Sequence, residues 1–531
     1  MGTVLLKNLV LIDGTGEERR EGTILIKDEV IERIEEKGFI MEADEVIDLG
    51  GLVVAPGFID IHSHADAYLF VNPLAEAKLR QGVTSEVSGN CGFGAFPVPT
   101  NPEKLKLFTE LMTSLDFQFP EKGITWNDLS SFRERLKNEK LGTNILPLVA
   151  HGALRVSVMG SKQEKPTNEE MREMISLLKE NLEQGAWGFS TGLAYAPGSF
   201  AEFEEILELA KEVKRQDSFY TSHIRNEGDD VLQAIDEIIE IGRLSHCRIN
   251  ISHLKAMGVK NWYQADKLLN KIKDAKAEGI EVSADQYPYP ASSTILGILV
   301  PKWANDGGAA KMCQRLQSEE LRCSILAEIE ANMEARGGAD RIIIANCAKK
   351  YSIPIEGRTI REIANQFGLS PVETIAKLII DNNNAVMAIY LSIADEDVEK
   401  ILKDESIMVG SDGMINMVNP QYSHPRAFGT FPRILGHYVR EKKTLSLERA
   451  IKKMTSLPAE KIGLKNRGLI KEGFIADLVV FDSETIIDKS TYINASQYPV
   501  GIESVMMSGK WIIKNGELTG IKVGEILRKG K

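Results

Sequence analysis

The sequence predicts an α/β fold, a (β/α)8 barrel accompanied by a small β-sandwich domain built from both termini. Three observations predict it. Eight short apolar runs alternate with amphipathic helical stretches through the middle of the 531 residues. Short β-branched runs with turn signals lie at both ends of the chain. Six of the eight central runs finish in a residue able to bind a metal or carry a proton. Continuous apolar strands alternating with helices indicate a parallel sheet buried on both faces, and eight such units close into a barrel.

The chain opens with TVLLKNLVLID, GTILIKDEVIERI and DEVIDLGGLVV, and closes with FIADLVVFD and SVMMSGKWIIKNGEL, where Lys514-Asn515-Gly516 marks a turn. Neither set is long enough to bury a core alone. Residues 1–55 and 466–531 are therefore expected to pair into one β domain around a barrel of residues 56–465. The barrel runs are FIDIHSH, TSEVSGNC, ILPLVAH, AWGFST, SFYTSH, INISH, VSADQY and IMVGSD. Helical periodicity marks 167–184, 200–216, 228–245 and 261–278. Run seven ends near Tyr287 and run eight begins near Ile407. The segment between them, 288–406, is far longer than an ordinary connection. It carries helical patterns at 368–380 and 394–403 and is expected to fold over one mouth of the barrel as a lid or subdomain.

Composition narrows the class. A hydrophobic fraction of 43% with 26% charged residues is that of a soluble globular protein. A net charge of −12 gives no support for general nucleic-acid binding. The apolar residues near the N-terminus are interrupted by Lys7, Asn8 and Asp13, so no signal peptide is expected, and no run is long enough to span a bilayer. The five cysteines are few, widely spaced and odd in number. They do not read as a disulfide framework, and a reducing cytoplasm is expected.

The ends of the runs carry the chemistry. His62 and His64 end the first, Cys91 the second, His151 the third, His223 the fifth, His253 the sixth and Asp412 the eighth. In a barrel the C-terminal ends of all strands meet on one face, where sites are built. A lone histidine or cysteine there would be an ordinary rim or core residue. Independent packing gives no reason for His, Cys and Asp to recur at the same end of successive strands. His62 and His64 are two apart, so on a strand both side chains point the same way. Cys91 lies in GNCGFG, whose glycines permit close backbone approach. A thiolate with imidazoles suits zinc, whose catalytic sites use about three protein ligands.

PGFIDIHSHAD, GNCGFG, GFSTGLAYAPG, TSHIRNEGDD, ISHLKAMG, DQYPYPASSTIL, SDG and HPRAFGTFPRILG, in that order, resemble the N-acyl-D-amino-acid deacylases (D-aminoacylases) of the amidohydrolase superfamily. The resemblance runs from about residue 1 to about residue 516. It implies a metal-dependent hydrolase barrel acting on linear amides of small N-acyl-D-amino acids, with zinc held tightly by Cys91, His223 and His253. It also implies that His62 and His64 line a second, weaker metal position to which Cys91 and Asp412 contribute. Many relatives place a carboxylated lysine on strand four. Here that strand reads GAWGFSTG, and the resemblance implies that the strand-two cysteine takes the bridging place.

Asp412 is the candidate to take a proton from water and return one to the leaving nitrogen, although SDG is also a turn signal. Arg426, in SHPRAFG, is expected to anchor a substrate carboxylate, because a guanidinium meets a carboxylate in a two-point fork. The resemblance places Lys255, Tyr287 and Ser293 at the same carboxylate. His151 stands equally for a contact to substrate or oxyanion and for a satisfied rim residue. His424 shapes the HPR loop, and GMINMVNP, residues 413–420, shapes the mouth. A dipeptidase or cyclic-amide hydrolase with the same metal chemistry, and a non-catalytic scaffold, are the competing readings. Oligomeric state is not legible.

Overall fold

Eight parallel strands pair strictly in chain order: Phe58–Asp60, Val83–Ser88, Asn144–Ala150, Gly188–Gly192, Phe219–His223, Arg248–Ile251, Val282–Gln286 and Ile407–Val409. The structure is a computed structural model and describes residues 2–39, 42–415 and 420–530. The eighth strand returns to the first, where Asp412 N donates to His62 O at 2.7 Å and Ser63 and Gly413 form a parallel bridge. The predicted (β/α)8 barrel is thus the observed fold. Each strand overlaps its predicted run, four of them reaching one residue beyond it, and nearly every strand residue is buried, as a sheet covered on both faces requires.

The helices follow from their apolar periodicity and caps. The stretches expected at 167–184, 200–216, 228–245 and 261–278 are Asn168–Glu183, Phe203–Arg215, Val231–Ser245 and Ala265–Ala277. The first begins with a capping box, in which Thr167 accepts from Glu170 N and Glu170 reaches back to Thr167 N. Its buried residues Met174, Leu178, Asn181 and Leu182 recur every three or four positions, the stripe that meets a sheet. Together the helices and strand faces bury one continuous core, including Leu154, Phe189, Ile206, Ile238 and Leu268.

Strands from both termini form a single nine-stranded sheet. Thr3–Leu11, at its centre, pairs antiparallel with Arg20–Lys27 and parallel with Glu45–Asp48 and Val53–Pro56. Val53–Pro56 in turn pairs with Leu478–Phe481, which joins the two ends of the chain. The strand Val30–Glu36 is stitched back to the segment before Leu478, through Ile31 N to Phe474 O and Gly473 N to Ile31 O. The sheet therefore folds over a core of its own, Leu6, Leu9, Ile24, Val54, Leu478 and Trp511 among them. A second core, with Val479, Phe481 and Ile512, seats it on Phe431, Leu435 and Met454 of the barrel.

Residues between strands seven and eight form an antiparallel sheet of Ser292–Ile295, Val386–Tyr390 and Ile342–Cys347 in that spatial order. Helices Ala309–Gln317, Arg322–Ala335, Ile360–Phe367 and Pro371–Asp381 pack on it around Leu316, Ile325, Ile363 and Ile379. The helix predicted at 394–403, observed as Asp395–Lys403, is different in kind. It packs on the barrel beside Ala265–Ala277 and leads into strand eight. No helix among the described residues is long and apolar enough to cross a membrane.

Candidate metal centre

At the C-terminal mouth of the barrel, Cys91, His223 and His253 each present a ligand atom, all within 4.8 Å of one another. His62, His64, Cys91 and Asp412 form a second such group. Cys91 belongs to both: its Sγ lies 3.3 Å from His62 Nε2 and 3.4 Å from His253 Nε2. All six residues are buried. The sequence reading put these residues at strand ends, whereas several sit just beyond, in the loops. His62 and His64 flank the bridge residue Ser63, and both rings reach Asp412 Oδ1, at 3.4 and 3.0 Å.

Three of these residues occupy left-handed backbone: Cys91 at φ 54°, His253 at 36° and Asp412 at 50°. Such conformations are uncommon outside glycine and cost about 1–3 kcal/mol unless the surroundings over-determine them. For Cys91 the determinants are visible. Asp66, two residues after His64, accepts from Gly89 N at 3.3 Å and Ala95 N at 3.2 Å, so one carboxylate ties both ends of the cysteine loop. Ser190 accepts from Gly92 N at 3.1 Å, and Gly152 N donates to Gly92 O at 2.9 Å.

Two acids missed by the sequence reading orient the histidines. Asp285, on strand seven, takes His62 Nδ1 at 3.1 Å and His253 N at 2.9 Å on Oδ1, and Asn250 Nδ2 at 2.6 Å on Oδ2. That turns His62 Nε2 toward Cys91. Glu227 lies 3.0 Å from His253 Nδ1, 3.6 Å from His223 Nε2 and 2.5 Å from Lys255 Nζ. Lys255 Nζ is also 2.8 Å from His253 Nδ1. An ammonium only donates, so Lys255 uses both His253 Nδ1 and Glu227 Oε1 as acceptors. The available signals were a lone Asp inside the apolar run VSADQY and the Glu of TSHIRNEGDD.

The electrostatics are those of a cation site. Burial pushes the Cys91 thiol up, yet the His62 and His253 imidazoles pull it well below the usual thiol range. Burial likewise opposes the Asp412 charge, but the Arg426 guanidinium, with His62 and His253, holds that carboxyl well below the usual range. His64 is lowered by burial and raised, on balance to about 9, by its bond to Asp412. The buried His223 Nδ1 has no hydrogen-bond partner among the described residues. A thiolate, a carboxylate, imidazoles and an orphaned ring nitrogen are a donor set that a divalent cation satisfies.

Two cavities meet at this cluster. The larger, about 450 Å³, is lined by His223, Lys255, Tyr287 and Ser293, with Lys302 and Arg336 further out. The smaller, about 70 Å³, is lined by His64, Cys91, Phe93, Phe117, Met387 and Arg426. Both include Tyr195, His253 and Asp412. The segment 288–406 contributes residues to both walls. Of GMINMVNP, Met414 lines the smaller cavity, and residues 416–419 lie outside the described residues.

Tyr287 carries a buried hydroxyl with no hydrogen-bond partner among the described residues, and its ring lies 4.8 Å from Arg426 Cζ and 5.5 Å from Lys255 Nζ. Arg426, the expected carboxylate anchor, lines the smaller cavity and is also engaged by neighbouring groups. Its Nη1 lies 2.6 Å from Asp412 Oδ2, with the N–H not aimed along the contact, and its Nη2 donates to Ser293 O at 3.1 Å. His424 shapes this loop, accepting from Arg426 N at 3.1 Å on Nδ1 and donating from Nε2 to Ala291 O at 3.0 Å.

His151 is the outlier. It opens the helix His151–Met159, is fully buried and lines neither cavity. Its Nε2 meets Glu205 Oε1 at 2.8 Å, beside Arg155 Nε at 3.1 Å from the same oxygen. The geometry gives no support to a substrate or oxyanion contact: the strand ends at Ala150, and the helical turn that follows aims the ring outward to the Phe203–Arg215 helix.

The model of the amidohydrolase family described as Amidohydro_3 matches residues 45–513. An N-acyl-D-glutamate deacylase of Alcaligenes xylosoxydans xylosoxydans is 36% identical over 502 residues, covering 94% of this chain and 91% of that one. The crystal structure of N-acyl-D-glutamate deacylase from Bordetella bronchiseptica, in complex with zinc and a phosphonate mimic of the tetrahedral intermediate, superposes with a TM-score of 0.81 at 33% identity, covering 99% of each chain. A D-aminoacylase structure, described as having a binuclear metal centre with one-metal activation and second-metal attenuation, superposes at 0.83 with 32% identity over 100% of both chains.

Proposed function

Because this chain belongs to the amidohydrolase family, we propose that it is a metal-dependent deacylase, hydrolysing the amide bond of N-acyl-D-amino acids to a D-amino acid and a carboxylic acid. The observation that carries the reading is the convergence of Cys91, His223 and His253 on one point, with Asp412 beside it against Cys91, His62 and His64.

Cys91, His223 and His253 would hold zinc tightly, and His62 and His64, with Cys91 and Asp412, a second ion more weakly. When bound, zinc acidifies water and polarises a carbonyl. The remaining work falls to the chain's own groups. Asp412 Oδ1 takes a proton from the attacking water and returns it to the leaving nitrogen, which departs poorly as an anion. Arg426 beside Oδ2 makes Asp412 a reluctant base and a ready acid, which favours the second transfer. Lys255, the unpartnered Tyr287 hydroxyl and Ser293 line the larger cavity and would receive the substrate carboxylate. We assign Arg426 to Asp412. The smaller cavity would take the acyl group. Five free cysteines support a cytoplasmic location.

A panel of N-acetyl-D- and N-acetyl-L-amino acids, dipeptides and hydantoins tests this. The reading expects turnover of N-acetyl-D-amino acids above all others. Equal rates on both enantiomers, or preference for dipeptides or hydantoins, would overturn it.

A further inference from the structure

The first and eighth barrel strands are neighbours without a ladder. They are the two ends of the eight-stranded path. The backbone joins them by the Ser63–Gly413 bridge, by Asp412 N to His62 O at 2.7 Å and by His64 N to Gly413 O at 3.3 Å. This seam carries His62 and His64 on one side and Asp412 on the other. Every other strand junction is a parallel ladder.

Beneath the seam lies a charge network that the mechanism does not use. Lys78, on the short helix Glu76–Leu79, is 0% exposed. Its Nζ donates to Asp60 Oδ2 at 2.5 Å and Ser411 Oγ at 2.7 Å, and lies 3.4 Å from Glu86 Oε2. Asp60 Oδ1 accepts from Ser411 N at 2.8 Å and His62 N at 3.3 Å, and its Oδ2 accepts from Ser411 Oγ at 2.6 Å. Glu86 accepts from Ser63 Oγ at 2.6 Å and Thr143 Oγ1 at 2.8 Å. Lys78, Asp60 and Ser411 touch neither cavity. Burying an ammonium has a large desolvation cost, and a barrel can close by ladder without one.

The network bridges the two sides of the seam one residue from Asp412 and two from His62. We propose that Lys78, Asp60 and Ser411 are positioning residues that fix the spacing between Asp412 and the His62–His64 pair, and so govern the second metal position selectively. The other position draws His223 and His253 from strands five and six, which are held to each other and to strands four and seven by ladders. Cys91, common to both, is held by the Asp66 bonds to its loop. The inference rests on the metal assignment proposed above.

The test is zinc titration of the metal-stripped full-length protein against a chromophoric chelator, for the wild type, Lys78→Met and Ser411→Ala. Outer-shell partners typically alter metal affinity about 10–100-fold. Both variants should weaken the second zinc equivalent by about tenfold or more and leave the first equivalent unchanged. If Lys78→Met does not fold, Ser411→Ala decides alone, because it strands no buried charge. Equal weakening of both equivalents, an unchanged second equivalent, or uptake of a single ion by the wild type would each overturn the proposal. A wild type that binds no zinc at all would instead refute the metal assignment beneath it.

Discussion

Asp412 lines both cavities and belongs to the cluster of His62, His64 and Cys91. Its Oδ1 faces His62 and His64 while Arg426 stands at Oδ2. Asp412→Asn keeps the shape and removes the proton carrier. We expect zinc content at the tight position to be unchanged and kcat to fall about 10²–10⁴-fold; near-normal turnover would remove the proton-transfer role. Arg426→Ala separates two readings of that residue. If it acts on Asp412, kcat falls with little change in KM; if it anchors substrate, KM rises with kcat preserved. Among single residues, the metal-binding types were legible because six of eight apolar runs end in them. Asp285, Glu227 and Asp66 were not. Each acts through a partner far away in the sequence, and a lone acid in an apolar run carries no mark of which distant ring or amide it will meet.

At the scale of elements, the loops after strands two, six and eight are bent through left-handed residues to present Cys91, His253 and Asp412. Gly92 follows Cys91 at φ 73°, and a Cβ there would stand 2.6 Å from Gly192 N. Gly92→Ala should displace the thiolate and lose tight zinc. Gly123, at φ 76° with open space around it, provides the control: Gly123→Ala should cost only about 1 kcal/mol in denaturant unfolding and leave zinc in place. The helix Leu447–Met454 carries a second testable feature. Lys453 Nζ donates to Asp404 O and to Ile407 O, at the root of strand eight, and burial lowers its pKa to about 7. Unfolded lysine titrates near 10.4, so between about pH 7 and 10 the unfolded chain binds more protons and stability should rise with pH. Lys453→Met should flatten that rise in urea unfolding at pH 6, 8 and 9.5. A slope identical to the wild type would show that Lys453 stays charged. Helix positions were readable from periodicity and caps. The left-handed turns were not, because Cys, His and Asp do not announce a positive φ as glycine does.

At the scale of the molecule, the barrel is secured from below by its own C-terminus. Ile145 N donates to Glu525 O, Leu527 N to Ile145 O, Trp187 Nε1 to Leu527 O and Lys529 N to Gly185 O, while Ile526 enters the main core. Removing residues 519–531 should lower Tm by about 3 °C or more without altering KM at 25 °C, since none of these contacts lies at the mouth. An unchanged Tm would mean that the strap contributes nothing. The pairing of the two termini was legible because neither set of strands can cover its own apolar face. The path of 288–406 was not. Its sheet, Ser292–Ile295 with Val386–Tyr390 and Ile342–Cys347, joins strands separated by whole helices, and local pattern carries no information about such pairing. The measurement that tests the account most directly is zinc content by elemental analysis of the wild type beside Cys91→Ala, His223→Ala and His253→Ala. The account predicts tightly held zinc in the wild type and its loss, with turnover, in all three variants. Zinc retained in the variants, or hydrolysis undiminished without it, would contradict it.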